Sequence, residues 1–253
     1  MAFSTGVTCE YSCFVYNRNL MAIRKHGAFI PGEIYHVYNR SVGDMKLFRT
    51  KYACARAQKT LFLVNSTETY GPSDTPSKEF WEMSRGEPLV EILAYAFMPN
   101  HFHLLLRECT DGGITKFMGR FSTSIAMAWN AGHERTGIVF ERTFQSRHVD
   151  SDRYLKKLFA YIHLNPISII QPQWKERGIK YPSAVEHFLK KYSASSLPDY
   201  FGEERNESAL IAPNLFHSLF ANDTHLLREL MEHIPRRNEL NDFLGASVEN
   251  AKA

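Results

Sequence analysis

The chain has 253 residues, 44% hydrophobic and 23% charged, which suits a globular protein of one large domain or one domain with an appendage. No apolar run of about 18 residues is present and no charged stretch leads into an apolar block at the N-terminus, so neither a membrane-spanning helix nor a secretory signal is expected, and a cytoplasmic location is. Charge is uneven: residues 194–253 hold five Lys/Arg against ten Asp/Glu, a net of −5, so the total of +3 leaves +8 on residues 1–193.

A basic body with an acidic end fits a nucleic-acid-binding domain followed by a segment that does not bind, although chance scatter of charge gives the same balance. The cysteines, Cys9, Cys13, Cys54 and Cys109, show no zinc spacing, because no second pair completes the first two. A reduced protein fits them better than a disulfide scaffold.

Residues 1–26 mix aromatics, Ser and Asn without a period and read as an N-terminal extension, either disordered or a loose arm. Gly32 to Arg40 alternates Ile34, His36 and Tyr38 against Tyr35, Val37 and Asn39, a first strand. Thr50 is an N-cap for a helix to about Ser66, with Ala53, Ala57, Leu61 and Val64 as its stripe. Residues 66–87 read as a mobile loop with one turn near Phe80-Trp81. Leu89 to Phe97 and His101 to Arg107 are strands joined by a tight turn at Pro99-Asn100, a hairpin through the middle of the sheet.

Asp111-Gly112-Gly113 breaks the chain before a helix from Ile114 to about Gly132. Gly137 to Val149, with Arg135, Arg142 and Arg147, reads as a strand or irregular hairpin, a basic ribbon. Asp150-Ser151-Asp152 caps a helix through Tyr161, and Pro166 is expected to stop it by disfavouring α geometry at Asn165. The order β-α-β-β-α-β-α predicts an α+β, ferredoxin-like sandwich: a central antiparallel sheet with helices on one face. Residues 171–253 read as a helical C-terminal appendage, with helices at Ala184 to Tyr192 and Thr224 to Ile234.

Two stretches carry chemistry. In Met98-Pro99-Asn100-His101-Phe102-His103-Leu104-Leu105-Leu106, strand alternation puts His101 and His103 on one face, roughly 7 Å apart at the backbone, where both can reach one metal ion. In the helix, Tyr161 and Asn165 are four residues apart on one face. Tyr154 lies seven residues before Tyr161 on the same face and is a rival nucleophile; the spacing to Asn165-Pro166 favours Tyr161. His163 lies off that face and reads as structural. His36 is either a third ligand or, more in keeping with a strand histidine, packed. Arg142, Arg147, Lys156 and Lys157 are candidate phosphate contacts or solvated charges.

His101-Phe102-His103, within Ala96 to Leu106, together with Tyr161-Ile162-His163-Leu164-Asn165-Pro166, resembles the motifs of the single-tyrosine HUH transposases. The closest resemblance is to the REP-associated tyrosine transposase branch, over residues 27–170 and more weakly around Tyr181. It implies the same fold in a catalytic domain of residues 27–170. It also implies a metal-dependent single-strand DNA endonuclease and strand transferase that acts on hairpin-forming DNA through a 5′-phosphotyrosine. The implied roles are Tyr161 as nucleophile, His101 and His103 as metal ligands, Asn165 as third ligand, and Mg²⁺ or Mn²⁺ as metal. The family often has Gln or another polar residue where Asn165 stands, and ligand type alone also admits Zn²⁺. The partner implied is single-stranded or hairpin DNA, with the protein a monomer or a homodimer. Two alternatives use the same residues. One is a hairpin-binding protein that does not cut. The other is a metal hydrolase with water as nucleophile, which would leave Tyr161 without a task.

Overall fold

A computed structural model describes residues 29–43, 45–68, 80–212 and 226–233. The expected N-terminal extension, Cys9 and Cys13 lie outside them. Four strands, β1 (Ile34–Arg40), β2 (Val90–Met98), β3 (His101–Glu108) and β4 (Gln145–His148), form an antiparallel sheet in the order β2-β3-β1-β4. With α1 (Lys51–Val64) between β1 and β2 and α2 (Gly113–Gly132) between β3 and β4, this is the ferredoxin-like arrangement expected. β3 is central, but β2 is an outer strand, so the hairpin does not run through the middle of the sheet as expected.

β1 and β3 sort their residues by parity. Tyr35, Val37, Phe102, Leu104 and Leu106 enter a core with Ala57, Leu61, Phe117 and Phe121 of α1 and α2. The expectation of helices on one face holds for α1 and α2. The opposite face is closed by α3 (Asp152–Leu164), whose Leu158, Phe159, Tyr161 and Ile162 share a second core with Leu93, Ala96 and Leu105. A sheet with apolar side chains on both faces needs a layer on each.

Local chemistry sets the helix starts. Thr50 Oγ1 accepts from Ala53 N at 3.1 Å, and Ser151 Oγ accepts from Tyr154 N at 3.4 Å. The first turn of α2 is capped from the end of β3: the buried Glu108 carboxylate accepts from Gly113 N at 3.0 Å and Ile114 N at 2.8 Å. Gly113 is required, because a Cβ there would stand 2.2 Å from the Leu89 carbonyl oxygen. In β2 the register shifts between Ile92 and Ala94, a bulge that turns Leu93 and Ala94 alike toward the α3 side.

Two local expectations change. The Gly137–Val149 ribbon is strand only at β4; before it, Val42 N bonds Val139 O at 2.9 Å and Glu141 N bonds Arg40 O at 3.0 Å. Pro166 does not stop the helical path. Asn165 is helical at φ −55 and ψ −37, and Ser168 N bonds its carbonyl at 3.0 Å, leading into α4 (Ile167–Ile170). A proline removes one donor and biases its predecessor away from α geometry, but i to i+3 bonds carry the turn onward here.

Beyond α4 come α5 (Trp174–Arg177), α6 (Pro182–Lys191), α7 (Leu197–Tyr200), a short 3₁₀ turn (Asn206–Leu210) and α8 (Leu226–Glu232). This segment returns to the outer edge of β2: Phe97 N bonds Ala194 O at 2.9 Å, and Ser196 N bonds Tyr95 O at 3.0 Å. It thereby covers backbone groups that an edge strand leaves open. His163 of α3 joins the same region, its Nε2 2.7 Å from Ser196 Oγ. Among the described residues no helix is long and apolar enough to cross a membrane.

Burial pushes the His163 imidazole down to about 3 from its ordinary value. An unfolded histidine titrates near 6.5, so between those pH values the unfolded chain binds the extra proton and stability falls as pH falls. At pH 5 the His163 contribution is a loss of about 2 kcal/mol relative to pH 7, or about 4–8 °C in midpoint. Thermal melts of wild type and His163→Gln at pH 7 and pH 5 should show a smaller pH-induced drop in the variant; equal drops would mean that His163 is not the buried neutral ring described.

Candidate active site

The parity of β3 that fills the first core with Phe102 and Leu104 points His101 and His103 at α3. His103 is fully buried, and the Tyr161 ring meets it edge to face with centroids 5.4 Å apart. His101 and His103 lie 5.1 Å apart by ring centroid. One turn along α3, Asn165 Nδ2 donates to Tyr161 Oη at 3.4 Å, a long bond. The histidine pair, Tyr161 and Asn165 are therefore brought together from the two elements the spacing named.

The donor set suits a divalent metal. His101 Nδ1 lies 2.8 Å from Asn100 Oδ1, which fixes that ring by its inner nitrogen. His103 Nε2 is buried with no hydrogen-bond partner, while its Nδ1 lies 3.0 Å from His36 Nε2. A buried polar atom without a partner is costly and points to a ligand. Two imidazoles and the Asn165 amide oxygen make a mixed N/O set that Mg²⁺ or Mn²⁺ can use, with Mn²⁺ the better match to nitrogen. Among the described residues no cluster of three or more His, Cys, Asp or Glu side chains is placed to hold a metal.

Electrostatics keep both imidazoles neutral, the form that ligates. His103 is held well below the ordinary range by burial first, then by His101, His36, Lys175 and Arg40. His101 is lowered by burial and then by Arg40, Lys175 and Lys46. It keeps partial solvent exposure, so the desolvation is firmer at His103.

Two residues here were not assigned to the site from sequence. Lys175 of α5 holds its ammonium 4.7 Å from the centroid of the Tyr161 ring. Nothing in the spacing marks it, because the helical path bends through Asn165-Pro166 before reaching it. His36 was read as either a third ligand or, more in keeping with a strand histidine, packed; it is buried, and it packs against a candidate ligand. The alternation of β1 gave its face, and only the strand register gives its neighbour.

The remaining candidates separate. Arg147 pairs with His36 across β1 and β4, which puts it on the α3 side of the sheet, and its guanidinium lies 5.5 Å from the Tyr154 ring. Tyr154 thus stands at the β4 end of α3, where burial pushes its phenol up to about 12. Arg142 is exposed in the run before β4, its carbonyl accepting from Asn39 Nδ2 at 2.9 Å. Lys156 and Lys157 are half-buried on α3.

A ferredoxin-like sheet thus turns a histidine pair toward a helix-borne tyrosine. Residues 75–165 match the family model described as transposase, IS200-like, a span that contains His101, His103, Tyr161 and Asn165. That match bears out the transposase resemblance read from His101-Phe102-His103 and Tyr161 to Pro166. No curated protein matches the chain. A solved structure described as the REP-associated tyrosine transposase bound to a REP hairpin is similar at 14% identity and a TM-score of 0.42, over 74% of this chain and 90% of that one.

The donor geometry generates a direct test. Mn²⁺ titrated into the full chain should bind, and His103→Ala should weaken that binding by at least about tenfold, since one ligand of a small set is gone. Equal affinity in the two proteins would remove the histidine pair as a metal site.

Proposed function

We propose that this chain is a metal-dependent single-strand DNA endonuclease and strand transferase, acting on hairpin-forming DNA through a 5′-phosphotyrosine at Tyr161. One observation carries the reading: Tyr161 lies against His103 and within reach of Asn165, inside the segment that matches the IS200-like transposase model.

The chemistry follows from the residues. Tyr161 Oη attacks the phosphorus, the bond to the 3′ oxygen of the leaving strand breaks, and that strand departs with a 3′ hydroxyl. The phosphotyrosine keeps the energy of the phosphoester, so a 3′ hydroxyl attacking in reverse rejoins DNA and frees the phenol. A phenol titrates near 10 and is a weak nucleophile at neutral pH, so its developing negative charge needs compensation. The Lys175 ammonium beside the ring is placed to supply part of it. Asn165 donates through Nδ2 to Tyr161 Oη, which holds the hydroxyl and leaves Oδ1 for a cation. His101, His103 and Asn165 would hold a divalent metal, which when bound would polarise a phosphoryl oxygen on the phosphorus under attack. Tyr154 lies seven residues, about 10 Å, back along the helix axis, at Arg147.

Incubation of the protein with Mn²⁺ and single-stranded DNA from the flanks of its own gene should yield a denaturation-resistant protein–DNA adduct. Tyr161→Phe should abolish the adduct and leave DNA binding near normal, and Tyr154→Phe should keep it. A nucleotide mapped to the Tyr154 peptide, or an adduct surviving in Tyr161→Phe, would overturn the assignment.

DNA held through phosphates loses affinity steeply as salt rises. Arg147→Ala should lower the slope of log affinity against log salt by about one. Arg147 is the sharper probe, because β4 places it on the α3 side of the sheet, and an unchanged slope would put the DNA elsewhere.

A further inference from the structure

We infer that His36 is a positioning residue for His103, holding that ring in the orientation and tautomer that leave His103 Nε2 free to ligate a metal. The inference deepens the metal-site reading above and rests on it.

The strand register creates the contact. β1 and β3 are antiparallel neighbours in which Tyr38 pairs with His103 and His36 with Leu105, so His36 is the diagonal neighbour of His103 on the α3 face. Both rings are fully buried, with centroids 5.1 Å apart and planes 21° apart. His36 Nε2 lies 3.0 Å from His103 Nδ1. Tyr38 lies against the other ring neighbour position, its centroid 4.8 Å from that of His36, and limits how far His36 can turn.

A neutral imidazole has one N–H and one lone pair, so the contact can be made in two ways. If His36 donates, His103 must carry its proton on Nε2, and it then turns an N–H toward the site and cannot ligate. If His103 donates from Nδ1, its Nε2 keeps the lone pair. Metal-ligating histidines commonly give their second nitrogen's proton to an acceptor, which fixes tautomer and ring angle. Here the acceptor is another histidine. The two nitrogens outside the contact, His36 Nδ1 and His103 Nε2, are both buried without a hydrogen-bond partner. The pair therefore has no internal group that settles which ring donates, and a cation at His103 Nε2 is the group that would. His36 is not itself a ligand in this arrangement, since its Nε2 accepts from His103 and its Nδ1 then carries the ring's proton.

The experiment is calorimetric titration of Mn²⁺ into full-length wild type, His36→Phe, His36→Gln and His103→Ala, with binding of a synthetic DNA hairpin in EDTA as control. His36→Phe keeps a flat ring but removes the acceptor, and Mn²⁺ affinity should fall about 10- to 100-fold with hairpin binding unchanged. His36→Gln, whose Oε1 can accept the same N–H, should recover most of the loss. Long-range ¹H–¹⁵N spectra of Mg²⁺-loaded wild type should show His103 protonated at Nδ1. Wild-type Mn²⁺ affinity in His36→Phe, beside weakened binding in His103→Ala, would overturn the positioning role and leave the metal site standing. Equal affinity in wild type and His103→Ala would overturn both. Should His36→Phe fail to fold, the spectrum decides, because His103 protonated at Nε2 in the Mg²⁺-loaded protein rules the inference out.

Discussion

Along β3, Phe102, Leu104 and Leu106 turn into the core beneath α1 and α2, while His101, His103 and Leu105 turn toward α3. This two-residue alternation is what the site depends on. The apolar half is nearly inaccessible to solvent, so the strand cannot slip by one residue without exchanging phenylalanine and leucine for histidine in the larger core. The histidines owe their direction to the burial of their neighbours. Their rigidity comes from the same source, because β3 is paired on both sides, by β2 and by β1.

The α3 face carries a higher polar load. His36, His103 and His163 are all fully buried there or at its edge, and His36 and His103 each have one nitrogen engaged and one without a hydrogen-bond partner. Such groups make a face costly to close, and apolar packing offsets that cost: Leu158, Phe159 and Ile162 of α3 meet Leu93, Ala96 and Leu105 of the sheet. The chain beyond α4 adds to the closure. Trp174, Val185, Leu189 and Leu197 enter the same core, while Arg205, paired with Asp199, donates to Tyr95 Oη at 2.9 Å and ties that segment to the α1–α2 side of β2. A site placed in such a layer is dry on its inner side, where electrostatic effects on a tyrosine or phosphate are least screened.

Alternation and helical spacing are local, and they made the core of the fold and the central residues legible. The order of strands and helices gave the ferredoxin-like sheet, and the two motifs gave His101, His103, Tyr161 and Asn165 as one constellation. What was missed depends on contacts between elements. His36 and His103 are 67 positions apart and meet only through the β1–β3 register. Lys175 reaches Tyr161 because the helical path continues past Pro166, where proline's usual effect argued for a stop. The second helical layer was hidden for a like reason: α3 is amphipathic, but amphipathicity does not say which side of a sheet a helix will cover.

The bulge at Leu93 has a consequence for how β2 can change. Val90 and Ile92 before it, and Tyr95 and Phe97 after it, all face the α1–α2 core, although a regular strand would send the two sets to opposite sides. The strand is thus two half-strands of opposite phase, joined by one extra residue. Loss of Leu93 would make β2 regular and leave Val90, Ile92, Tyr95 and Phe97 all facing the α1–α2 core, whereas one further residue inserted after Ala94 would carry Tyr95 and Phe97 over to the α3 side, into the layer that holds the histidines. Substitutions along β2 act one at a time on packing. A one-residue insertion acts on phase, and would reach the histidine layer through a strand that contributes no side chain to the proposed chemistry.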